Sequence, residues 1–586
     1  MESLCTGCTD KDAPIRELRL RNAAGMVVAL VALLAASPVY AQLKTKVTVD
    51  PSQGKAILYT TSIGVAADRW DNNAYDSATI QLLQDAGITN LRFPGNGGID
   101  ALYHWSNGTI TNPYTSDRAP AFPRDKQFPA VVPVIDKLGT AIVSVNYGTN
   151  MDGSGGGEPA EAAAWVAYAN GSPSNTQAIG KDSKGNDWKT VGYWAGLRAA
   201  SPLATDDGYN QLRIAHPAPL GIMLWTIGNE PWGNGFYGQG HTTGSDADSI
   251  GKYGEAASPE ADLHDGKVAS SRDWGRRQSD AKVGPAAYGA AVVEYAKAMK
   301  AVDPKILVGA FVIQPPVAND ADQRGKGWNA GVLKAACASM DFSAASFWEG
   351  KGAEPSLINN IDEQDLLTLA RDPMDPTKYI PGGNGLQYDF SLLGHDLVDK
   401  YKKFCPSGHQ PQLAITSLGI ASYLPALNPA ATALFSADAV ARLLETGAYT
   451  VVWSPIHALS PSFLDNKNQP QPAYYGIKLL HQVALPGDTF VGATSQMDSL
   501  VVYAVKRRDG GLGLLFINKD FARSVVTTVS VSGYNYSTKG TRYDYGKLTI
   551  DAGKTIVEAP IENLGPTFTV EVPRYSVTAV VIPKAP

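Results

Sequence analysis

The residue of this chain best placed for acid–base chemistry is Glu230. It follows the apolar run 222–227, which predicts a buried β-strand, and it begins a loop rich in glycine and aromatic residues. In barrels of parallel strands the reactive groups lie at the carboxyl ends of the strands. A carboxylic acid there can give a proton to a leaving oxygen, as glycosidic cleavage requires. We therefore expect Glu230 to be a proton donor; the alternative is that Asn-Glu-Pro is only a turn.

Side chains near Glu230 are suited to holding a sugar. The amide of Asn229 can donate to a sugar hydroxyl, and the rings of Trp232 and Tyr237 can stack on a sugar face. Trp453 ends the predicted strand 449–453, and His457 follows shortly after it. Both are candidates for a second surface on which a sugar can stack. The alternative for each aromatic residue is ordinary packing in the core.

The elements that would position these residues alternate between strand and helix, which predicts parallel βαβ units. Eight predicted strands, each followed by a predicted helix, indicate an α/β protein with a (β/α)8 TIM barrel. The predicted strands cover 56–65, 90–93, 141–146, 222–227, 306–312, 341–347, 412–416 and 449–453. Short alternating apolar runs after about residue 486 predict a C-terminal antiparallel β-sandwich domain.

The amino-terminal segment has the pattern of an export signal. Three arginines precede the apolar run 23–36, and a small-x-small cleavage pattern ends at Ala41. The run is too short for a comfortable membrane span, although a membrane anchor is the alternative. We predict a signal peptide over 1–41, a strand pairing with the sandwich over 42–55, the barrel over 56–485 and the sandwich over 486–586. The mature protein would be secreted or periplasmic, without stable membrane insertion.

The composition and the motifs of the sequence limit the classes of ligand and partner that we expect. The 586-residue chain has a net charge of −6 and no basic run after the leader, which argues against nucleic acid. It contains no His-Glu-x-x-His, no P-loop and no dinucleotide fingerprint in a first βα turn, so we predict neither a metal nor a cofactor. We expect a carbohydrate substrate, and the sequence sets no oligomeric state.

Two cysteines remain beyond the leader, Cys337 and Cys405. Each shortly precedes one of two neighbouring predicted strands, and export permits disulfides. We predict a disulfide between them at the amino-terminal end of the barrel.

The predicted second strand carries a family resemblance. Arg92-Phe-Pro-Gly, then Asp100 and Tyr103-His104-Trp105, resembles the Arg-x-Pro-Gly-Gly…Asp-x-Tyr-x-Trp region of α-L-arabinofuranosidases and related retaining glycosidases. Asn229-Glu230 resembles their acid/base motif, and the turn at Asn146 is similar to parts of secreted bacterial members. The resemblance implies an acid/base on barrel strand four and a nucleophilic Glu on strand seven. It also implies that Arg92, Asp100, His104 and Asn146 contact substrate.

The chain departs from this pattern on two neighbouring strands. Ser417 stands where the nucleophilic Glu of strand seven is expected. The resemblance also implies a His-x-Tyr-like end of strand six that supports the nucleophile, but the matching positions are Ser346, Phe347 and Trp348, followed by Glu349. A serine hydroxyl is a weak nucleophile without a base beside it. Three explanations stay open: Glu349 supplies the second carboxylate, the protein holds sugars without cleaving them, or strand seven aligns differently. An esterase or protease using Ser417 is disfavoured because the Gly-x-Ser-x-Gly elbow is missing.

The sequence thus predicts a secreted glycoside hydrolase acting on a plant or microbial glycan. Glu230 is the predicted general acid/base, and Glu349 is the candidate for the second carboxylate. Trp348, beside Glu349, is a further candidate for substrate contact. The runner-up is a catalytically impaired or non-catalytic carbohydrate-binding protein on a glycosidase scaffold.

Overall fold

The computed structural model describes most of the chain after the predicted leader. The described residues are 42–67, 71–95, 102–110, 123–152, 156–229, 231, 285–313, 328–349, 390–420, 428–457 and 461–586. The predicted signal peptide therefore lies outside them. Within these ranges, no helix is both long and apolar enough to cross a bilayer.

The described part contains nineteen strands. In chain order they are β1 (Leu43–Ile57), β2 (Ile63–Ala66), β3 (Asn90–Phe93), β4 (Tyr103–His104), β5 (Thr109–Ile110), β6 (Thr140–Val145), β7 (Leu224–Ile227), β8 (Leu307–Phe311), β9 (Phe342–Glu349), β10 (Gln412–Ile420), β11 (Thr450–Trp453), β12 (Thr489–Ser495), β13 (Leu500–Lys506), β14 (Leu512–Asn518), β15 (Val525–Val531), β16 (Lys539–Gly546), β17 (Val557–Glu562), β18 (Thr567–Val572) and β19 (Ser576–Ile582).

Ten α-helices accompany these strands in the described ranges. They are α1 (Ser77–Asp85), α2 (Phe128–Leu138), α3 (Pro159–Asn170), α4 (Val191–Ala199), α5 (Pro285–Val302), α6 (Trp328–Ala336), α7 (Phe390–Phe404), α8 (Pro429–Glu445), α9 (Pro472–Val483) and α10 (Lys547–Asp551).

Eight parallel strands close into the predicted barrel, in the order β10-β11-β2-β3-β6-β7-β8-β9. All four residues of β7, Leu-Trp-Thr-Ile, are buried. Strands covered on both faces need such near-continuous apolar runs. Asn428 is the N-cap of helix α8. Its side chain accepts a hydrogen bond from the Ala430 amide at 2.9 Å. The fold class predicted from the sequence is confirmed.

The first predicted barrel strand was wrong in extent. Residues up to Ile57 belong to β1 of the other sheet, and the barrel strand is only Ile63–Ala66. A turn separates the two, in which the Tyr59 amide donates to Ser62 Oγ at 2.7 Å and the Ser62 amide donates to the Tyr59 carbonyl at 3.1 Å. This turn lies between the strand of the other sheet and the strand of the barrel, and the apolar pattern of the sequence does not predict it.

The carboxyl-terminal sheet has nine strands in the order β17-β16-β19-β14-β13-β12-β1-β15-β18. Strand β1 pairs antiparallel with β12 but parallel with β15, so the sheet is mostly, and not wholly, antiparallel. Alternate residues of its strands form a separate core that includes Val49, Phe516 and Phe568. This is the second domain that the sequence predicts.

A buried ion pair lies where helix α8 meets this sheet. Lys519 Nζ is 2.5 Å from the carboxylate of Asp438, and both side chains are almost completely buried. The hydroxyl of Tyr503, on β13, also donates to that carboxylate. The barrel and the sheet domain are therefore joined by buried polar contacts centred on Asp438.

Cys337 and Cys405 form a disulfide with their Cα atoms 5.2 Å apart. Cys337 directly follows α6 and Cys405 directly follows α7. The bond therefore joins the chain ahead of β9 to the chain ahead of β10, at the amino-terminal end of the barrel.

Acid should destabilise the fold through His481 on α9. Burial lowers the pKa of this imidazole below its usual 6.5, and the nearby Arg507 lowers it further. Since the unfolded chain binds a proton at the usual pKa and the folded chain only at lower pH, stability is lost as the pH falls below 6.5. We expect His481→Gln to reduce the stability difference between pH 7.5 and pH 5. Urea unfolding at both pH values measures this, and an unchanged difference would contradict it.

Candidate active site

Arg92 and Asn229 meet at the carboxyl-terminal end of the barrel. Arg92 lies on β3 and is 1% exposed, and its Nη2 donates to Asn229 Oδ1 at 2.7 Å. Asn229 follows β7 after Gly228, whose φ of +67° is left-handed and whose amide donates to the Val145 carbonyl at 3.0 Å. A hydrogen bond from a guanidinium is charge-assisted and strong when buried. It fixes the side chain that directly precedes Glu230 in the chain.

Four predicted site residues lie outside the described residues: Glu230, Trp232, Tyr237 and Asp100. Their roles stay predictions. Of the others, the structure brings Arg92 and Asn229 into contact at the end of the barrel where the sequence predicts the site, and it places His104 beside Asn146.

His104 lies in the β4–β5 hairpin and is fully buried. Its Nδ1 is 3.0 and 3.1 Å from the two carboxylate oxygens of Glu161, on the first turn of α3. The resemblance implied that His104 contacts substrate, and the pairing with Glu161 was not predicted. One feature of the sequence could have indicated this pairing. Glu161 is the single acidic residue in an otherwise apolar start of a helix, Pro159-Ala-Glu-Ala-Ala-Ala-Trp165. Such an acid, facing the core, needs a partner.

Asn146 directly follows β6 and lies beside His104. Its Oδ1 accepts from the Thr149 amide at 3.0 Å, and its Nδ2 is 3.4 Å from both ring nitrogens of His104. The Tyr295 hydroxyl donates to the Asn146 carbonyl at 2.8 Å. Burial raises the pKa of Tyr295 well above its usual 10, so this hydroxyl keeps its proton. The end of β6 is thus rigidly held next to β7.

His457 connects the last barrel strand to the first. Its Nδ1 is 2.7 Å from an Asp71 carboxylate oxygen and its Nε2 is 2.6 Å from Asn468 Oδ1. The side chains of His457 and Asp71 are 2% exposed. Both ring nitrogens therefore have protein partners, which fits a residue that holds two loops together. Substrate contact by His457 stays a prediction.

Trp453, the last residue of β11, is fully buried. Its ring centroid lies 6.3 Å from that of Phe435 on α8. These contacts are those of a core residue, and its proposed role as a sugar platform stays a prediction.

Strand β10 is longer than predicted, because it continues from Thr416 to Ile420. A register shift falls between Ile415 and Ser417, so that Ser417 pairs with Ser346 of β9. Ser417 is buried within the strand, and β10 contains no Asp or Glu. Ser346 Oγ is buried with no hydrogen-bond partner among the described residues. Any second carboxylate must therefore come from another element.

Trp348 and Glu349 are the last two residues of β9 and pair with Gly419 and Ile420 through the backbone. Glu349 thus occupies the carboxyl-terminal end of a barrel strand, which is where chemistry occurs in this architecture.

A small cavity of about 60 Å³ lies beside Glu161. Its lining is mostly polar and includes Asp152, Glu158, Asp182 and Trp188. This volume suits a few water molecules and not a sugar ring. In the described ranges, no group of three or more His, Cys, Asp or Glu side chains is arranged to hold a metal ion.

No family model matches the chain. No curated protein is significantly similar to it. Solved structures are similar over 92–93% of this chain and 99–100% of their own chains. They include an α-L-arabinofuranosidase from Thermotoga maritima (16% identity, TM-score 0.59), a family 44 endoglucanase from Clostridium thermocellum (16%, 0.57) and a family 44 xyloglucanase from Paenibacillus polymyxa (15%, 0.59). The fold is that of glycoside hydrolase barrels. At this identity the likeness establishes the architecture alone.

Proposed function

We propose that this protein is a secreted glycoside hydrolase that cleaves O-glycosidic bonds in a plant or microbial glycan. The observation that carries the proposal is the buried Arg92–Asn229 hydrogen bond at the end of β7. It orients the residue before Glu230 at the end of the barrel where catalytic groups are found. The likeness to an arabinofuranosidase, an endoglucanase and a xyloglucanase supports the reaction class and leaves the glycan open.

In the proposed reaction Glu230 protonates the leaving oxygen as general acid, and a pKa raised above the usual range of Glu would suit this task. Because Asn229 Oδ1 accepts from Arg92, the Nδ2 end of the same amide is the end that can donate. A donor beside the acid can hold a sugar hydroxyl while the bond breaks. Trp232 and Tyr237 would stack on the sugar.

The second carboxylate is proposed to be Glu349. Its place at the end of β9 supports this, because β10 supplies no acid. A pair separated by roughly 6.5–9.5 Å leaves room for a water molecule and inverts the anomeric centre, whereas a pair about 5–5.5 Å apart retains it.

The alternative is a carbohydrate-binding protein without turnover. The observation that favours it is the pairing of Ser417, at the position where the resemblance implies a nucleophilic Glu, with another serine, Ser346. Incubating the protein with aryl glycosides and polysaccharides, and measuring both release and binding, separates the two functions. Binding without release on any substrate would overturn the proposed function.

Substitutions on β9 and β10 separate the explanations for Ser417. We expect Glu349→Gln to lower kcat by at least about 10²-fold, since it removes one of two catalytic carboxylates. Ser417→Glu should give no gain. Glu294→Gln, on the exposed face of α5, is the matched control. A gain of turnover in Ser417→Glu, with Glu349→Gln unaffected, would show that the strand-seven carboxylate is what the chain lacks.

The proposal includes export. The predicted signal over 1–41 would be removed near Ala41, leaving the barrel over 56–485 and the sandwich over 486–586, with the segment 42–55 pairing into the sandwich. A mature protein that begins at Met1 when isolated from its host would contradict removal.

A further inference from the structure

Two large apolar side chains are exposed in the chain between α3 and β7. Tyr193 is 37% exposed and Leu203 is 48% exposed, although large apolar side chains with this exposure are few among the described residues. The Asn210 side chain bonds both the amide and the carbonyl of Leu203 at 2.8 Å, which holds the Leu203 backbone against the residue that follows Tyr209. Tyr193, Leu203 and Tyr209 are called the outer patch below.

The two tyrosine rings of the outer patch are held by other rings. Their centroids are 6.3 Å apart, and Trp194 lies 5.2 Å from Tyr193 and 6.1 Å from Tyr209. Trp194 in turn lies 5.1 Å from Trp105. Rings fixed in this way lose little conformational freedom when a ligand binds.

The same contacts connect the patch to the barrel. Trp105 stacks on Trp165 with a centroid distance of 5.9 Å, and Trp165 lies 6.0 Å from Trp225 of β7. Gln211 also donates to the Ser106 carbonyl, at 3.2 Å, in the hairpin that follows β3. The outer patch is therefore connected through packed rings to the β4–β5 hairpin, α3 and β7, which carry residues of the candidate active site.

An ionised acceptor borders the patch. Both guanidinium Nη atoms of Arg213 bind the Asp207 carboxylate, at 2.6 and 2.7 Å. The Arg213 hydrogen bonds lower the pKa of Asp207 to about 2, so the group is a carboxylate at neutral pH. Asp207 is 45% exposed, which leaves its oxygens accessible to ligand hydroxyls.

We propose that the outer patch is an accessory glycan-binding site, where sugar rings stack on Tyr193 and Tyr209 and hydroxyls donate to Asp207. The inference rests on the proposed function, because it takes the ligand to be a segment of the glycan substrate. The three patch side chains offer roughly 200 Å² of accessible area, far less than the roughly 800 Å² per partner of a stable protein interface. One or two sugar rings match that area, and an aromatic face beside fixed acceptors suits their apolar faces and hydroxyl edges.

The test uses the full chain and soluble polysaccharides, arabinoxylan and xyloglucan, in affinity electrophoresis. We expect the double variant Tyr193→Ala/Tyr209→Ala to bind one polymer about 5- to 10-fold more weakly, with the rate on an aryl glycoside unchanged. Tyr193→Phe should retain binding, and Asp207→Asn should weaken it. Phe521→Ala, an exposed ring on the sheet domain, is the matched control. Thermal unfolding of every variant shows whether it is folded.

Several outcomes would overturn the accessory site. They are unchanged polymer binding by the double variant, no polymer binding by the wild type, and a wild-type dimer that the double variant abolishes. Failure of the patch is distinguishable from failure of the proposed function. Turnover that depends on Glu230 without patch-dependent binding rejects only the patch, whereas patch-dependent binding without turnover rejects only the hydrolase.

Discussion

Glu230→Gln is expected to lower kcat on aryl glycosides with poor leaving groups by about 10²- to 10⁴-fold. Gln has nearly the shape of Glu but has no proton to give to a departing oxygen. A highly activated leaving group such as 2,4-dinitrophenolate needs no proton, so the loss on that substrate should be much smaller. The Arg92–Asn229 bond does not involve the substituted side chain, so the neighbouring amide should stay in place.

Initial rates on a matched pair of aryl glycosides measure this effect. Glu294→Gln, an exposed carboxylate on α5, is the control for the loss of one charge. Equal losses on both leaving groups would point to a role for Glu230 other than proton donation, and no loss on either would reject it as the acid.

The second large effect concerns stability. Lys519→Met is expected to cost about 3–5 kcal/mol of unfolding free energy, because it removes the cation in direct contact with the buried carboxylate of Asp438. The two charges are 2.5 Å apart, with Asp438 fully buried on α8 and Lys519 just past β14. The Tyr503 hydroxyl still donates to the carboxylate, and the positive charge of Arg442, one turn later on α8, still acts on it, but the ion-pair contact is gone.

Chemical unfolding of single and double variants measures this coupling. Asp438→Leu combined with Lys519→Met should recover most of the loss, since an apolar pair replaces the two opposite charges. Loss in the double variant equal to the sum of the single losses would mean that the two side chains act independently. Arg507→Met, which breaks a more exposed pair with Asp509, is the control and should cost about 1 kcal/mol or less.

The sequence predicts the barrel well because buried parallel strands leave a strong local signal. The limits of β3 match the prediction to the residue, and β6, β7 and β8 differ from it only at their ends. The prediction of the first barrel strand over 56–65 failed for a physical reason. The end of β1, in the sheet domain, and β2, in the barrel, read as one run of strand-forming residues, and only the turn between Tyr59 and Ser62 separates them.

Contacts between strand ends were predictable where position along a strand decides them. The rule that polar groups at strand ends converge brings Arg92 and Asn229 together from 137 residues apart. The pairing of His104 with Glu161 and of His457 with Asp71 was missed. These partners are 57 and 386 residues apart and lie in loops or on a helix face, where periodicity carries no information about long-range contacts. The bulge that places Ser417 inside β10 was missed for the same reason.

The pH dependence of kcat/KM tests most directly whether Glu230 supplies the proton. For the wild type on an aryl glycoside, kcat/KM should fall on the alkaline side as the acid loses its proton. For Glu230→Gln on the same substrate, the rate should be lower and this alkaline limb should disappear. An alkaline limb that survives unchanged in Glu230→Gln would contradict the assignment of Glu230 as the acid.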